Sequence, residues 1–190
     1  MKRLVLLLSC CVLFAAALLG ASQATRRSDA ALSRTLRWQT RVRPATGEVV
    51  GRAHVLDGDS IAVAGLPIRV WGIDAPEWRQ RCRSDDGQLY RCGRVSFRAL
   101  ARRLQFASVR CVPRTYDAFG RIVATCYEGQ EDVARWMVAR GLALDWPRYS
   151  GGTYADAEAE ARRAARGLWQ GEFARPWDWR HRRAAVTSPP

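Results

Sequence analysis

Three charged side chains lie within the stretch RVWGIDAPE, residues 69–77. Arg69 stands inside an apolar run, Asp74 closes that run, and Glu77 follows shortly after it. A buried charge is costly unless it is paired or binds a ligand. The stretch therefore predicts either a site that binds ions or a structural salt bridge from Arg69 to Asp74 or Glu77.

A second acidic motif, Asp57-Gly58-Asp59, stands between two predicted strands. Taken alone, an ordinary Asp-Gly hairpin turn explains it. If the fold brings Asp59 and Asp74 together with no basic partner, however, the two carboxylates raise each other's pKa. A hard divalent cation relieves that repulsion, and a set of oxygen ligands selects Ca²⁺ or Mg²⁺ over zinc. We therefore expect a metal site at Asp59 and Asp74.

Arg121 ends the segment DAFGR, just after a predicted tight turn. A solvated residue after a turn is the simpler explanation of Arg121 alone. Together with Arg69, Glu77 and a metal, it completes the set of groups that a phosphodiesterase needs. The cation and two guanidinium groups stabilise the charge that develops at phosphorus, while Glu77 activates or orients water.

Alternating apolar residues and turn signals predict the elements that position these groups. Three strands are expected at 48–56, 60–64 and 68–73, and two more near 107–113 and 121–127. Helices are expected over 94–105, over about 133–140 with Gly141 as the C-cap, and from a capping box of Thr153 and Asp156 to Gly167. The order of elements predicts an α+β fold, a five-stranded OB-fold β-barrel with about three α-helices packed outside.

The spacing of Arg69 and Asp74 conflicts with a regular strand. They are an odd number of residues apart, so an ideal strand would direct them to opposite faces. A bulge or strong twist near Gly72 would let both reach one pocket.

The chain of 190 residues has a formal net charge of +13, and Lys2 is its only lysine. Genomic base composition is a sufficient explanation of the arginine excess. The guanidinium fork nevertheless binds phosphate in a bidentate way that an ammonium group cannot match. Nucleic acid, anionic lipid and acidic glycan are the polyanions that such a charge favours as partners.

Residues 1–24 have the pattern of a signal peptide, in which a basic start precedes an apolar run and small residues. An uncleaved membrane anchor is the alternative, although the apolar run 4–19 is shorter than the ~20 residues of a spanning helix. We expect a secreted or periplasmic protein with a flexible basic arm at 25–46. A single domain at 47–172 and a C-terminal tail at 173–190 follow; the last seven residues are expected to be disordered.

Four cysteines remain after residue 24, which allows two disulfides in three possible connectivities. A Cys82–Cys92 bond would close the arginine-rich loop 78–92. A Cys111–Cys126 bond would link two strands that the segment RTYDAFG places side by side. Zinc is disfavoured, because no two of these cysteines have the spacing of a zinc site.

Five stretches of the chain, in order, resemble the thermonuclease family named for staphylococcal nuclease, from about residue 49 to 169. They are VLDGDSIAV, IRVWGIDAPE, YDAFGR, VARWMVARGLALDW and RYSGGTYADAEAEARRAARGLW. The elements DGD, R-x-x-x-x-D-x-P-E and D-x-[FY]-G-R are specific in that order, although each is weak alone.

The resemblance implies roles for residues at the matching positions. Asp59, Asp74 and the backbone carbonyl of Ala75 would bind Ca²⁺. Arg69 and Arg121 would hold the phosphate, and Glu77 would act on the attacking water.

The resemblance also implies a nucleic-acid-binding set at Phe119, Arg148 and Tyr149. The chain departs from the family here: Phe119 replaces a usual tyrosine, and Trp146-Pro147-Arg148-Tyr149 stands where the family has stacking tyrosines.

The expected function is an exported Ca²⁺-dependent nuclease that hydrolyses DNA and/or RNA to 3′-phosphate products. We expect a monomer with no stable protein partner and no membrane association unless residues 1–24 are retained. A non-catalytic nucleic-acid-binding OB-fold module is the alternative. A metal-independent phosphodiesterase of the paired His-Lys type is disfavoured, since no lysine follows Lys2.

Overall fold

The structure, a computed structural model, describes residues 47–187, with side chains through residue 183. The predicted signal peptide and basic arm lie outside the described residues. Within the described range, no helix is both long enough and apolar enough to cross a bilayer.

Five strands close into the barrel that the sequence predicts, so the fold class is confirmed. The strands are β1 (Val49–Val55), β2 (Ser60–Val63), β3 (Leu66–Val70), β7 (Ser108–Tyr116) and β8 (Ile122–Glu128). Antiparallel pairs join them in the order β3-β2-β1-β7-β8, and a parallel pairing of β3 with β8 closes the barrel. The barrel interior contains Ile61, Ile68 and Ile122, which are fully buried.

Short strands and helices surround the barrel. The strands are β4 (Ile73–Asp74), β5 (Cys82–Arg83), β6 (Leu89–Tyr90), β9 (Glu131–Asp132) and β10 (Leu144–Asp145). The helices are α1 (Cys92–Leu104), α2 (Val133–Ala139), α3 (Pro147–Ser150), α4 (Ala155–Arg163) and α5 (Pro176–Thr187), with a 3-10 turn at Gly167–Gln170. Helices α1, α2 and α4 match the three expected helices, and the structure adds α3 and α5.

Gly72 resolves the spacing conflict between Arg69 and Asp74. It has a φ of +78°, a conformation that glycine adopts at little cost, and the chain turns there after β3. Asp74 then lies in β4, which pairs with β10 instead of continuing the barrel sheet. The turn allows both side chains to reach the same side of the molecule.

The predicted start and end of α4 are wrong. Tyr154 occupies the N-cap position, where no side chain caps the helix, because the Thr153 hydroxyl donates to the Ser150 carbonyl at 2.6 Å. The helix ends at Arg163 and not at Gly167. Gly167 has a positive φ and packs so closely on Gly141 that a Cβ would lie 2.4 Å from the Gly141 oxygen.

The expected C-terminal tail contains a helix, α5, which extends to Thr187 and so into the segment expected to be disordered. Aromatic packing explains its position. The Trp177 ring stacks on Trp146 at 5.8 Å, and Phe173, Trp169 and Trp177 pack on a buried cluster that includes Cys82. Trp169 and Trp177 thus hold the C-terminal segment against the rest of the domain.

Both expected disulfides are present. Cys82 bonds to Cys92, which ties the arginine-rich loop to the start of α1. Cys111 and Cys126 are directly opposite each other in the β7–β8 pairing, with Cα atoms 4.0 Å apart.

Candidate active site

Arg69 joins the two predicted metal-binding carboxylates. Asp59 lies just before β2, Asp74 ends β4, and both side chains are buried. Arg69, in β3, donates from Nη1 to Asp59 Oδ1 at 2.8 Å and from Nη2 to Asp74 Oδ1 at 2.9 Å. The two aspartates therefore converge as expected, but with Arg69 as a basic partner of both, and the alternative of a salt bridge from Arg69 to Asp74 is observed.

Asp59 is also held by the backbone around it. Its Oδ2 accepts from the Ala75 amide at 2.9 Å, and its own amide donates to Asp57 Oδ1 at 3.0 Å. Gly58 permits this approach, since a Cβ there would lie 2.7 Å from the Cβ of Ala75. The DGD turn and the residues after Asp74 are thus packed directly together.

Burial disfavours the ionised form of the acidic side chains in this cluster. Burial raises the pKa of Asp74 to about 6, and the negative charge of Asp59 adds to this against the opposing effects of Arg180 and Arg69. Burial and Asp59 likewise raise the pKa of Asp57 to about 6. Such an environment favours the uptake of a proton or a cation.

Arg180, on α5, is a site residue that the sequence analysis missed. Its Nη1 donates to Asp74 Oδ1 at 3.0 Å and to Glu77 Oε1 at 2.7 Å, and its Nη2 donates to Asp74 Oδ2 at 2.8 Å. Its position directly after two tryptophans in the segment WDWRHRR was the only available signal.

Glu77 is positioned by backbone contacts on both sides. Its amide donates to the Gln80 side chain at 3.2 Å, and its carbonyl accepts from the Gln80 amide at 2.7 Å. Helix α1 packs so closely that a Cβ on Gly93 would lie 1.8 Å from the Glu77 carbonyl oxygen. The Glu77 carboxylate itself remains partly exposed, with Arg180 as its partner.

Arg121 lies at the end of the turn that joins β7 to β8. Gly120 has a φ of +77°, and Asp117 accepts from the Phe119 and Arg121 amides, both at 2.9 Å. The Arg121 Nε donates to Asp117 Oδ2 at 2.6 Å, and its Nη1 lies 3.4 Å from the Ser60 hydroxyl, next to Asp59 in sequence.

A cavity of about 480 Å³ lies beside these groups. Its lining includes Arg69, Arg121, Arg180, Phe119, Trp146 and Tyr149. Phe119 is 87% exposed and Tyr149 is 54% exposed, so both rings are accessible. The volume and the mixture of aromatic and cationic groups suit a small anionic aromatic ligand. Arg148 is not among the lining residues; its guanidinium lies 5.7 Å from the Tyr149 ring.

The chemistry of the donor groups fits a hard divalent cation. Two buried carboxylates, at Asp59 and Asp74, lie on either side of the Arg69 guanidinium, and Ala75 packs against Asp59. Within residues 47–187, no group of three or more His, Cys, Asp and Glu side chains is placed to hold a metal. A cation would therefore rely on the two carboxylates, backbone oxygen and water, a donor set typical of Ca²⁺ and Mg²⁺.

Comparison with known proteins identifies relatives of two kinds. The chain is 36% identical over 153 residues to the succinoglycan biosynthesis protein ExoI of Rhizobium meliloti, across 80% of this chain and 79% of that protein. It is 33% identical over 124 residues to the probable staphylococcal-like nuclease CAN2 of rice, and 29% identical over 127 residues to the probable endonuclease LCL3 of Arthroderma otae. These matches cover 64% and 60% of this chain but only 31% and 44% of the rice and fungal proteins.

The family described as staphylococcal nuclease homologue matches residues 67–171. This range contains Arg69, Asp74, Glu77 and Arg121, whereas Asp59 precedes it. The chain belongs to the staphylococcal nuclease homologue family.

Proposed function

We propose that this protein is an exported, Ca²⁺-dependent nuclease that hydrolyses DNA and/or RNA and leaves 3′-phosphate ends. The observation that carries the proposal is the position of Arg69, which joins two buried carboxylates at the edge of a cavity that Arg121 also lines. The family and the relatives named as nucleases support cleavage of nucleic acid. Cation choice is inferred from the oxygen donor groups, export from the pattern of residues 1–24, and the product ends from the resemblance to the thermonuclease family.

Arg69 and Arg121 hold the scissile phosphate in this mechanism. Both guanidinium groups line one cavity, and both are already oriented by carboxylates, Arg69 by Asp59 and Asp74 and Arg121 by Asp117. Donors that are fixed before the substrate binds need little reorganisation when charge develops on the phosphoryl oxygens. They therefore stabilise the transition state more than the ground state.

Glu77 accepts a proton from the attacking water. The new bond forms between the water oxygen and phosphorus, and the bond to the 5′ oxygen breaks. The leaving 5′ oxygen takes a proton from solvent water, and the phosphate stays on the 3′ oxygen. The Glu77 side chain is 35% exposed, so water can reach it. Asp59 and Asp74 would hold a divalent cation, which would supply further stabilisation of negative charge.

The cavity aromatics position the nucleoside next to the scissile phosphate. Phe119 and Tyr149 present exposed rings, and the Arg121 guanidinium lies 5.8 Å from the Phe119 ring. Stacking on such rings tolerates any base, so it supports broad substrate use.

Two other functions compete with this proposal. A non-catalytic OB-fold module would bind nucleic acid without cutting it. A role in polysaccharide biosynthesis, as in the name of the rhizobial relative, would involve a different polymer.

One assay separates these functions. Purified protein is incubated with plasmid DNA, with RNA and with an acidic polysaccharide, in Ca²⁺, in Mg²⁺ or in chelator. We expect cleavage of nucleic acid with Ca²⁺ as the best activator, no cleavage in chelator, and products that a phosphatase must treat before a polymerase can extend them. Binding without cleavage would favour the module, and cleavage of the polysaccharide alone would favour the third function.

A further inference from the structure

Four arginines follow the length of α1 and its N-terminus. Arg94, Arg98 and Arg102 follow one another at four-residue spacing, so their side chains lie on one face of the helix, and Arg91 is the N-cap residue just before it. We call this set the arginine ridge. It extends over about 16 Å at the rise of an α-helix, the length of about five stacked nucleotides.

The arginine ridge has no acidic partner in the described part of the chain. Arg103, on the same helix, pairs with Glu128 and Glu131, whereas no ion pair with any residue of 47–187 involves the ridge arginines. The buried Nε of Arg94 also lacks a hydrogen-bond partner within this range. The basic charge of this face is therefore available to a ligand.

The placement of these arginines works against the stability of the helix. Like charges at four-residue spacing repel each other, and the first turn of α1 contains no acidic residue to offset a basic N-terminus. Folding alone gives no reason for this arrangement, because the opposite face of α1 supplies the buried contacts through Leu100 and Leu104. A polyanion would remove the repulsion.

The ridge begins at the candidate active site. Gly93 packs on the Glu77 carbonyl, and Trp78, next to Glu77, is 44% exposed. The Arg94 guanidinium lies 5.0 Å from the Trp78 ring, and Phe97 contacts the same ring edge-on. A strand whose phosphate is held beside Glu77 would therefore reach the ridge without crossing the molecule.

We propose that the arginine ridge binds the sugar–phosphate backbone of the nucleic-acid substrate beyond the scissile phosphate. The inference rests on the proposed nuclease function and assigns it a second binding site. The ligand is a polynucleotide strand, recognised through its phosphates and not through its bases. Long substrates therefore bind more tightly than short ones.

The test uses Arg98→Gln together with Arg102→Gln, because both side chains are exposed and neither contributes to the core. Arg162→Gln with Arg163→Gln on α4 removes the same charge from a helix that packs on α2. Each pair is placed in a Glu77→Gln background, so that binding of an oligonucleotide longer than the ridge is measured without cleavage. Melting temperatures verify that all variants are folded.

The slope of log affinity against log salt should fall by about 0.7–0.9 for each phosphate contact that is lost, or about 1.5 for the ridge pair. The α4 pair should leave it unchanged. With Glu77 intact, the advantage of a long strand over a dinucleotide in kcat/KM should shrink only in the ridge variant. Equal slopes in the two variant pairs would overturn the proposal. If the ridge variant loses binding to anionic phospholipid vesicles but still binds the oligonucleotide, the ridge is a membrane-binding surface. That result would also overturn the proposal.

Failure of the ridge and failure of the nuclease function give different results. A ridge variant that keeps the wild-type preference for long strands over dinucleotides shows a nuclease without this binding site. A protein that binds through the ridge but cuts no phosphodiester keeps the binding site and loses the proposed activity.

A separate observation concerns Arg180. Both oxygens of Asp74 accept hydrogen bonds from its guanidinium, and one also accepts from Arg69. We infer that a divalent cation can bind Asp74 only if the Arg180 side chain moves away from it. Cation binding therefore competes with the packing of α5 against the site. The start of α5 is anchored through Trp177 and through the bond from Gln80 to the Ala174 carbonyl, so withdrawal affects the later turns.

The competition predicts two independent results. Arg180→Gln should bind Ca²⁺ with a Kd about tenfold lower by calorimetry, within the usual range of coupling between two sites, while exposed Arg182→Gln on the same helix should match the wild type. In the wild-type protein, Ca²⁺ should raise amide hydrogen exchange in α5, which a mere change of charge would not do. A Kd at or above the wild-type value, exchange unaffected by Ca²⁺, or no Ca²⁺ binding in either protein would each overturn the inference.

Discussion

Replacement of Asp74 by asparagine should change how the stability of this protein depends on pH. Asp74 is fully buried, and its pKa is raised from 3.8 to about 6, first by burial and then by the charge of Asp59. Between about pH 4 and pH 6 the folded protein therefore retains a proton that the unfolded chain has lost. The free energy of unfolding must fall as pH rises through this window.

The magnitude follows from the shift itself. Each pKa unit corresponds to about 1.4 kcal/mol, so a rise from 3.8 to about 6 predicts a loss of ~3 kcal/mol across the window. Asparagine cannot titrate, so the Asp74→Asn variant should lack this loss. Asp57, whose pKa is also raised to about 6, remains in both proteins, and its contribution cancels in the difference. Asp117 does not interfere with the comparison. Arg121 and nearby amides lower its pKa despite its burial, so its ionised form stabilises the fold throughout this window and this effect is lost only below about pH 4.

Urea unfolding in chelator at several pH values between about 4 and 7 provides the measurement. The wild-type free energy should fall relative to that of Asp74→Asn by ~3 kcal/mol, and Ca²⁺ should offset the fall at the upper end by binding the ionised carboxylate. Parallel curves for the two proteins would refute the argument that burial of Asp74 dominates over its two arginine partners.

Three further predictions concern single features of the fold and site. Replacing Cys111 and Cys126 by serine should lower the free energy of unfolding by ~3 kcal/mol, because the disulfide closes a 15-residue separation, and peptide mapping without reductant should recover this pair and Cys82–Cys92. Gly72→Ala should cost about 1–3 kcal/mol in urea unfolding, since φ is +78° and the new Cβ would lie 2.9 Å from the Tyr154 ring; a neutral result would mean that the turn is not constrained. Phe119→Ala should raise KM severalfold and leave the melting temperature unchanged, since the ring is 87% exposed; an unchanged KM would remove Phe119 from the binding site.

Local sequence patterns predicted the barrel and much of the site. The strands are short β-like runs bounded by turn residues, and the motifs that contain Asp59, Arg69 and Asp74 stand at strand ends that a barrel brings together. The need for a special conformation near Gly72 also followed from sequence spacing alone, because strand geometry permits only two faces.

The parts that sequence analysis missed depend on contacts between distant segments. Arg180 is 106 positions from Asp74 in the sequence. Nothing in the sequence distinguishes it from the neighbouring arginines as the one that has a buried acidic partner. The predicted capping box at Thr153 does not form, because the Thr153 hydroxyl donates to the Ser150 carbonyl in the preceding turn. The buried pairing of Arg69 is a contact of this kind: Arg69 bridges two buried carboxylates, so Arg69→Lys should lower the melting temperature as well as the activity.

Single-turnover cleavage by Glu77→Gln tests the central claim most directly. The substitution keeps the size of the side chain and removes its basicity, and Glu77 is partly exposed, so the fold should persist. With the folded fraction measured in parallel, we expect cleavage of a nucleic-acid strand at saturating Ca²⁺ to slow by at least ~100-fold, as when a general base is lost. Cleavage at the wild-type rate by the folded variant would contradict the assignment of Glu77, and with it the proposed mechanism.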